Sequence, residues 1–168
     1  MLSPTAATGH DRVELTEFLR LADLTLSGLD SPAVSLWIVR DPGTGRVFAS
    51  TGFELSANGE HALIRSVAVH PDRRAAGLGL ELAAFALRRA AEAGARRAWL
   101  FSRRSGPFWQ KVGFAPAVIT DLAAALASTH QVRLFTETGQ LDREVAWSRA
   151  LDNAEPPDPV VGTQPSGT

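Results

Sequence analysis

The sequence predicts a mixed α/β fold, a central and mostly antiparallel sheet flanked by helices. Three observations carry this. Segments rich in β-formers succeed one another across turn signals between Ala33 and Val69. A glycine loop then opens a long helix rich in alanine and leucine. A short apolar strand, two helical stretches and a last strand complete the order, with no internal repeat.

The first dozen residues are small and polar and predict a flexible start, residues 1–12. Val13, Leu15, Phe18, Leu19 and Ala22 then recur at helical spacing. "AVSLWIVRD", "RVFASTGFEL" and "HALIRSVAV" read as three strands, joined by the turn "PGTG" and the hairpin signal "SANGE". From about Leu78 to Ala93 a helix sets Leu78, Leu82, Phe85 and Ala86 on an apolar side against Glu81, Arg88 and Glu92. Gly94 stops it. "RRAWLFS" is a buried strand, "SGPFWQKVGF" a short helix ending at Gly113, "ITDLAAALAS" helical and "EVAWSRAL" the last strand. One domain is expected over residues 13–152, with a disordered tail over 153–168, rich in Pro, Gly and Thr.

Composition narrows the chemistry. With 168 residues, 45% apolar and 21% charged, the chain suits one soluble domain with a full core. A net charge of -1 gives no electrostatic footprint for nucleic acid. The absence of cysteine excludes disulfides, thiolate metal sites and a cysteine nucleophile. His10, His61, His70 and His130 are scattered without an i, i+4 pair, so no metal is expected. No apolar run reaches the roughly 20 residues of a membrane span, and no leader pattern precedes Val13, so a cytoplasmic location is expected.

The stretch "DRRAAGLGLELAAFAL" poses the functional question. Glycine is roughly 1 kcal/mol worse than alanine in a helix, yet Gly77 and Gly79 stand where one begins. The first N–H groups of a helix lack partners and form an anion site, which bare backbone leaves open. Arg73 and Arg74 add positive charge beside it. A phosphate cradle fits, and so does a tight strand-to-helix junction that needs glycine only for space. No Gly-Lys-Ser/Thr ends the loop, Leu82 stands where a dinucleotide fingerprint needs a small residue, and Trp99 where it needs an acid.

In context, "SVAVHPDRRAAGLGLELAAFAL" resembles motif A of the GCN5-related N-acetyltransferases (GNAT), through Val69, Pro71, Arg74, Gly77 and Gly79. "FWQKVGF" is similar to a later family segment, through Phe108, Trp109, Lys111, Gly113 and Phe114. The resemblance implies a GNAT fold, acetyl-CoA as cosubstrate and an amine acceptor. It assigns the pyrophosphate to the loop backbone at Arg74, Ala75, Ala76, Gly77, Leu78 and Gly79. It assigns the pantetheine arm to the main chain of Val67, Ala68 and Val69, as an added strand. Phe101 and Ser102 are implied to flank the thioester.

Direct attack by a free amine requires a base. The family's glutamate on the strand before motif A falls at Leu63, and its tyrosine acid at Trp109, in a chain without tyrosine. Glu54 is the leading candidate base, on the face opposite Phe53, against the alternative of an exposed strand-end carboxylate. Glu60 follows in the turn. Ser102 or Ser105 are candidate proton relays, with helix capping the competing role for Ser105. "GFE", "LIRSVAV" and "LFSRRSGPFWQKVGF" are similar to an arsenic-resistance-type branch, which raises Arg65 and Ser66 as substrate-side positions. Rival readings are a degenerate acyl-CoA-binding sensor and a generic nucleotide-binding module. A homodimer is compatible with the sequence. "ADLTLSGLDS" and the segment after Phe114 are expected to form an acceptor pocket, for which their apolar content favours a small molecule.

Overall fold

The computed structural model describes residues 2–74 and 77–151; Ala75, Ala76 and the tail expected to be disordered lie outside the described residues. Its strands are β1 (Thr5–Ala6), β2 (Val34–Arg40), β3 (Val47–Leu55), β4 (His61–Val69), β5 (Arg97–Phe101), β6 (Ala115–Ala117) and β7 (Ala146–Ala150). They form one sheet in the order β1-β2-β3-β4-β5-β7-β6. Every neighbouring pair is antiparallel except β4 and β5. A parallel pair needs a crossover, and α2 (Leu78–Glu92) supplies it.

Alternation along the strands sends apolar side chains to both faces, so both carry helices. On one face Phe53, Ala62, Ile64 and Leu100 pack with Ala83, Ala86, Leu87 and Ala90 of α2 and Trp109 of α3 (Gly106–Lys111). On the other, Leu15 and Leu19 of α1 (Arg12–Leu21) meet Val34, Leu36 and Ile38. Further along this second face, Leu63 and Trp99 are covered by Leu122 of α4 (Ile119–Ala125), by Leu126, and by Val132 of α5 (His130–Thr138). Fully burying one leucine contributes roughly 1.5–3 kcal/mol, so these three clusters dominate the favourable side of folding.

Differences from expectation fall at short segments, among them the three-residue β6 strand. Where a flexible start is predicted, Thr5 and Ala6 pair with Ile38 and Trp37, and the Leu2 N–H donates to Glu81. An open sheet edge supplies the partners that the local sequence does not signal. The α5 helix lies outside the predicted elements: its "HQVRLFTET" mixes β-branched and polar residues, and only Val132 is buried.

The β4 strand positions the site. Its register against β3 slips by one residue, from Ser50–Ala68 to Gly52–Arg65, and Ser66 at the slip has φ +63°. This is a β-bulge, and the extra residue sharpens the local twist. Beside β5, strand β4 pairs only at His61–Arg97, Ala62–Ala98 and Leu63–Trp99. Beyond Leu63 the two strands have no ladder pairs, which opens the sheet.

Candidate active site

A cleft of about 520 Å³ lies at this opening. Val67, Ala68 and Val69 of β4 form one wall, and Arg74, Gly77, Leu78 and Gly79 of the loop and helix start another. Phe108, Trp109 and Lys111 of α3 close the third side. The described residues of the expected cradle and pantetheine strand therefore share one cavity, with Trp109. Ala75 and Ala76 of the cradle lie outside the described residues.

The two glycines have different reasons. Gly77 is the N-cap of α2 with φ +90°, and a Cβ there would meet nothing within 4 Å. Its bareness serves the left-handed turn and leaves the space before the helix open. At Gly79 a Cβ would stand 3.2 Å from the Phe108 ring, so this glycine seats α3 against α2. A left-handed turn thus explains Gly77, and close packing of α3 explains Gly79.

The arginine pair divides as well. Arg73 ion-pairs with Asp41 and lies over the Phe48 ring, 4.1 Å from its centroid. Arg73 does not line the cleft. Arg74 lines the cleft, and its Nε donates to the Val69 carbonyl at 3.3 Å.

A second chamber of about 680 Å³ adjoins the cleft and shares Ala22, Leu24, Arg74 and Ser105 with it. Its other walls come from Asp23 to Leu26, from Ser102 to Arg104, and from Gln131, Leu134 and Phe135 of α5. Arg103 pairs with Glu144 at 3.5 Å and Arg104 with Asp23 at 3.3 Å. Ser102 belongs to this chamber and not to the cleft. Its hydroxyl accepts from the Ser105 N–H and its carbonyl from the Trp147 indole, which fixes the β5–α3 turn. Phe101 lines neither cavity; its ring packs edge-on against Phe135 at 5.0 Å.

Glu54 is the largest departure from an exposed strand end, since only 1% of its surface is accessible. It pairs across the sheet with Leu63, so its carboxylate lies on the same face, one strand from where the family glutamate falls. Both oxygens accept from the His130 backbone N–H, at 3.1 and 3.0 Å, and Oε2 lies 2.7 Å from His130 Nδ1. Glu54 thereby caps α5 in place of Thr129, whose side chain makes no capping bond. Arg65 Nη1 stands 3.8 Å from Oε1. The Arg65 side chain is buried, and Nη1 and Nη2 donate to no group among the described residues. Burial pushes its guanidinium down to about 10, with Glu54 opposing that shift. Arg65 Nε donates to the Ser66 hydroxyl at 3.3 Å. Ser66, also buried, gives its carbonyl to the Ser50 hydroxyl at 2.6 Å.

Sequence reasoning missed His130, which stands 76 positions from Glu54 and carries no local motif. It also left Phe108 and Lys111 without a place in the cleft they line.

Residues 8–114 match the acetyltransferase (GNAT) family, well over half of the chain. The chain belongs to that family. The GNAT fold recurs in solved structures of low sequence identity. N-acetylglutamate synthase from Neisseria gonorrhoeae, complexed with coenzyme A and N-acetylglutamate, superposes with a TM-score of 0.71 at 19% identity over 90% of this chain. The match takes in 35% of the synthase, so the chain spans about a third of that relative. Rv2747 from Mycobacterium tuberculosis, in complex with CoA, gives 0.69 at 15% identity, covering 89% of this chain and 99% of its own. A GNAT-family acetyltransferase from Staphylococcus aureus gives 0.69 at 13%, covering 90% and 99%. No curated protein sequence matches the chain. Among the described residues no helix is long and apolar enough to cross a membrane.

Proposed function

We propose that this GNAT domain is an N-acetyltransferase that moves the acetyl group of acetyl-CoA to an amine of a small molecule. The supporting observation is the cleft beside the stretch of β4 that has parted from β5, which runs from Val67–Val69 to the helix start at Gly77. An extended pantetheine arm fits beside an unpaired strand end, and a pyrophosphate fits unpaired helix N–H groups. The reading takes the chamber beyond Ser105 as the acceptor site. Amine and thioester then meet in one ternary complex, and the amine attacks the carbonyl directly.

The chain's residues divide the work. The loop from Arg74 to Gly79 holds the phosphates, and Val67, Ala68 and Val69 align the arm. Glu54 serves the base side of the reaction from within the sheet. Trp109 walls the cleft but supplies no acid comparable to a phenol, so the departing thiolate leaves unassisted or through water. Arg65 and Ser66, both buried, are assigned to the acceptor side as positioning residues, Arg65 through its ion pair with Glu54. A cytoplasmic location suits a domain dependent on soluble acetyl-CoA.

The test is thiol release from acetyl-CoA with a panel of primary amines and free amino acids, with the product identified by mass. Acetylated product from at least one amine supports the reading. Coenzyme binding with no transfer to any amine would favour an acyl-CoA-binding sensor.

A further inference from the structure

Glu54 is buried, and both its oxygens are occupied by one residue. A carboxylate so enclosed cannot touch an incoming amine. Its partner can. The His130 side chain is 31% exposed, and its ring lies against Gly28, where even a Cβ would stand 2.7 Å from it. His130 also begins the helix whose Gln131, Leu134 and Phe135 wall the acceptor chamber, with Leu134 one turn further along. Among the described residues Nδ1 is the only ring atom with a polar partner, and that partner is Glu54.

Resting on the acetyl-transfer reading, we propose that His130 is the group that takes the proton from the acceptor amine, with Glu54 as its positioning residue. A carboxylate only accepts hydrogen bonds, so Nδ1 carries the ring proton and Nε2 presents its lone pair. The acceptor ammonium gives one proton to Nε2, and the imidazolium is steadied by Glu54 through Nδ1–H. The freed nitrogen lone pair forms the C–N bond at the thioester carbonyl. On collapse the C–S bond breaks, its electron pair leaves with sulfur, and the second amine proton passes to the thiolate. This arrangement moves the function from Leu63 of β4 to β3 and α5, and it gives the carboxylate a reason to be buried.

The competing role is structural: Glu54 caps α5 through the His130 backbone N–H, and the ring merely fills space. His130→Ala separates the two, because it keeps that N–H. Using the most active amine from the panel, kcat/KM for His130→Ala is expected to fall roughly 100- to 10,000-fold, the usual range for a positioned acid or base. Acetyl-CoA affinity by calorimetry should stay within threefold, and added imidazole should restore part of the rate. The same protein labelled with ¹⁵N-histidine should show one ring, absent from His130→Ala, protonated at Nδ1. A variant within threefold of the parent, a loss that imidazole does not relieve, or a proton on Nε2 would each overturn the inference while leaving acetyl transfer standing. A parent that does not bind acetyl-CoA would overturn both readings.

Discussion

Glu54→Gln removes one charge from a buried cluster and leaves its shape intact. Three interactions bear on its cost. Arg65 Nη1 lies 3.8 Å from Oε1, an attraction of about 4 kcal/mol at an effective dielectric of about 20. The His130 N–H and Nδ1 bonds, at 3.0–3.1 and 2.7 Å, lose their charged acceptor. Hydrogen bonds to charged groups contribute about 1.5–3 kcal/mol each, and the amide retains part of them. Arg65 is left buried with no counter-charge, a situation that costs about 3–5 kcal/mol in other proteins. A loss of about 3 kcal/mol is expected, which for a domain of this size lowers Tm by roughly 6–12 °C. Urea unfolding followed by tryptophan fluorescence measures it as a fall in midpoint at constant slope. Arg65→Met in the same background should recover part of the loss, because the orphaned charge goes with it. A Glu54→Gln variant within 1 kcal/mol of the parent would refute the cluster as described.

Further outcomes follow from the same geometry. Gly28→Ala places a methyl group 2.7 Å from the His130 ring at a φ of +71°, so it should cost about 1–2 kcal/mol and slow transfer with the coenzyme affinity preserved. Gly77→Ala meets no atom but strains the left-handed turn at φ +90°, with an expected cost of about 1 kcal/mol in urea unfolding. Acid unfolding should expose the Asp11, Glu14 and Arg40 cluster. The Val47 N–H and then Arg40 lower Glu14, and the Thr8 N–H and then Arg40 lower Asp11, from ordinary values of 4.5 and 3.8. Depressed carboxylates stabilise the fold above those values and lose that contribution as pH falls through their folded values. Arg40→Ala should therefore cost under about 1 kcal/mol at pH 7, given its exposure, and the gap should close in strong acid.

The parts of the molecule legible in the sequence are those with local causes. The β4 strand runs over His61–Val69, the extent of the predicted "HALIRSVAV" strand, and α2 ends one residue short of the predicted Ala93. The glycine loop advertised itself because glycine is costly where a helix begins. The site around Glu54 had no such signal. Alternation set Glu54 on the face opposite Phe53, but its burial depends on α5, which arrives 76 residues later and carries no local motif that points back to it. The engagement of Arg73 with Asp41 and Phe48 is likewise a product of the fold, since beside the loop its sequence position equals that of Arg74. The Gly79 contact with Phe108 depends on where α3 docks, which no spacing records.

The proposed function rests on the cleft at the parted strands being an acetyl-CoA site. Calorimetric titration of the full chain with acetyl-CoA, with ATP and NAD as controls and Gly77→Asp as the variant, tests it most directly. Saturable binding of acetyl-CoA alone, abolished by a carboxylate placed at the helix start, is the predicted result. Equal binding of ATP or NAD would mark a generic phosphate loop, and no binding of acetyl-CoA would contradict the account and leave Gly77 a turn residue only.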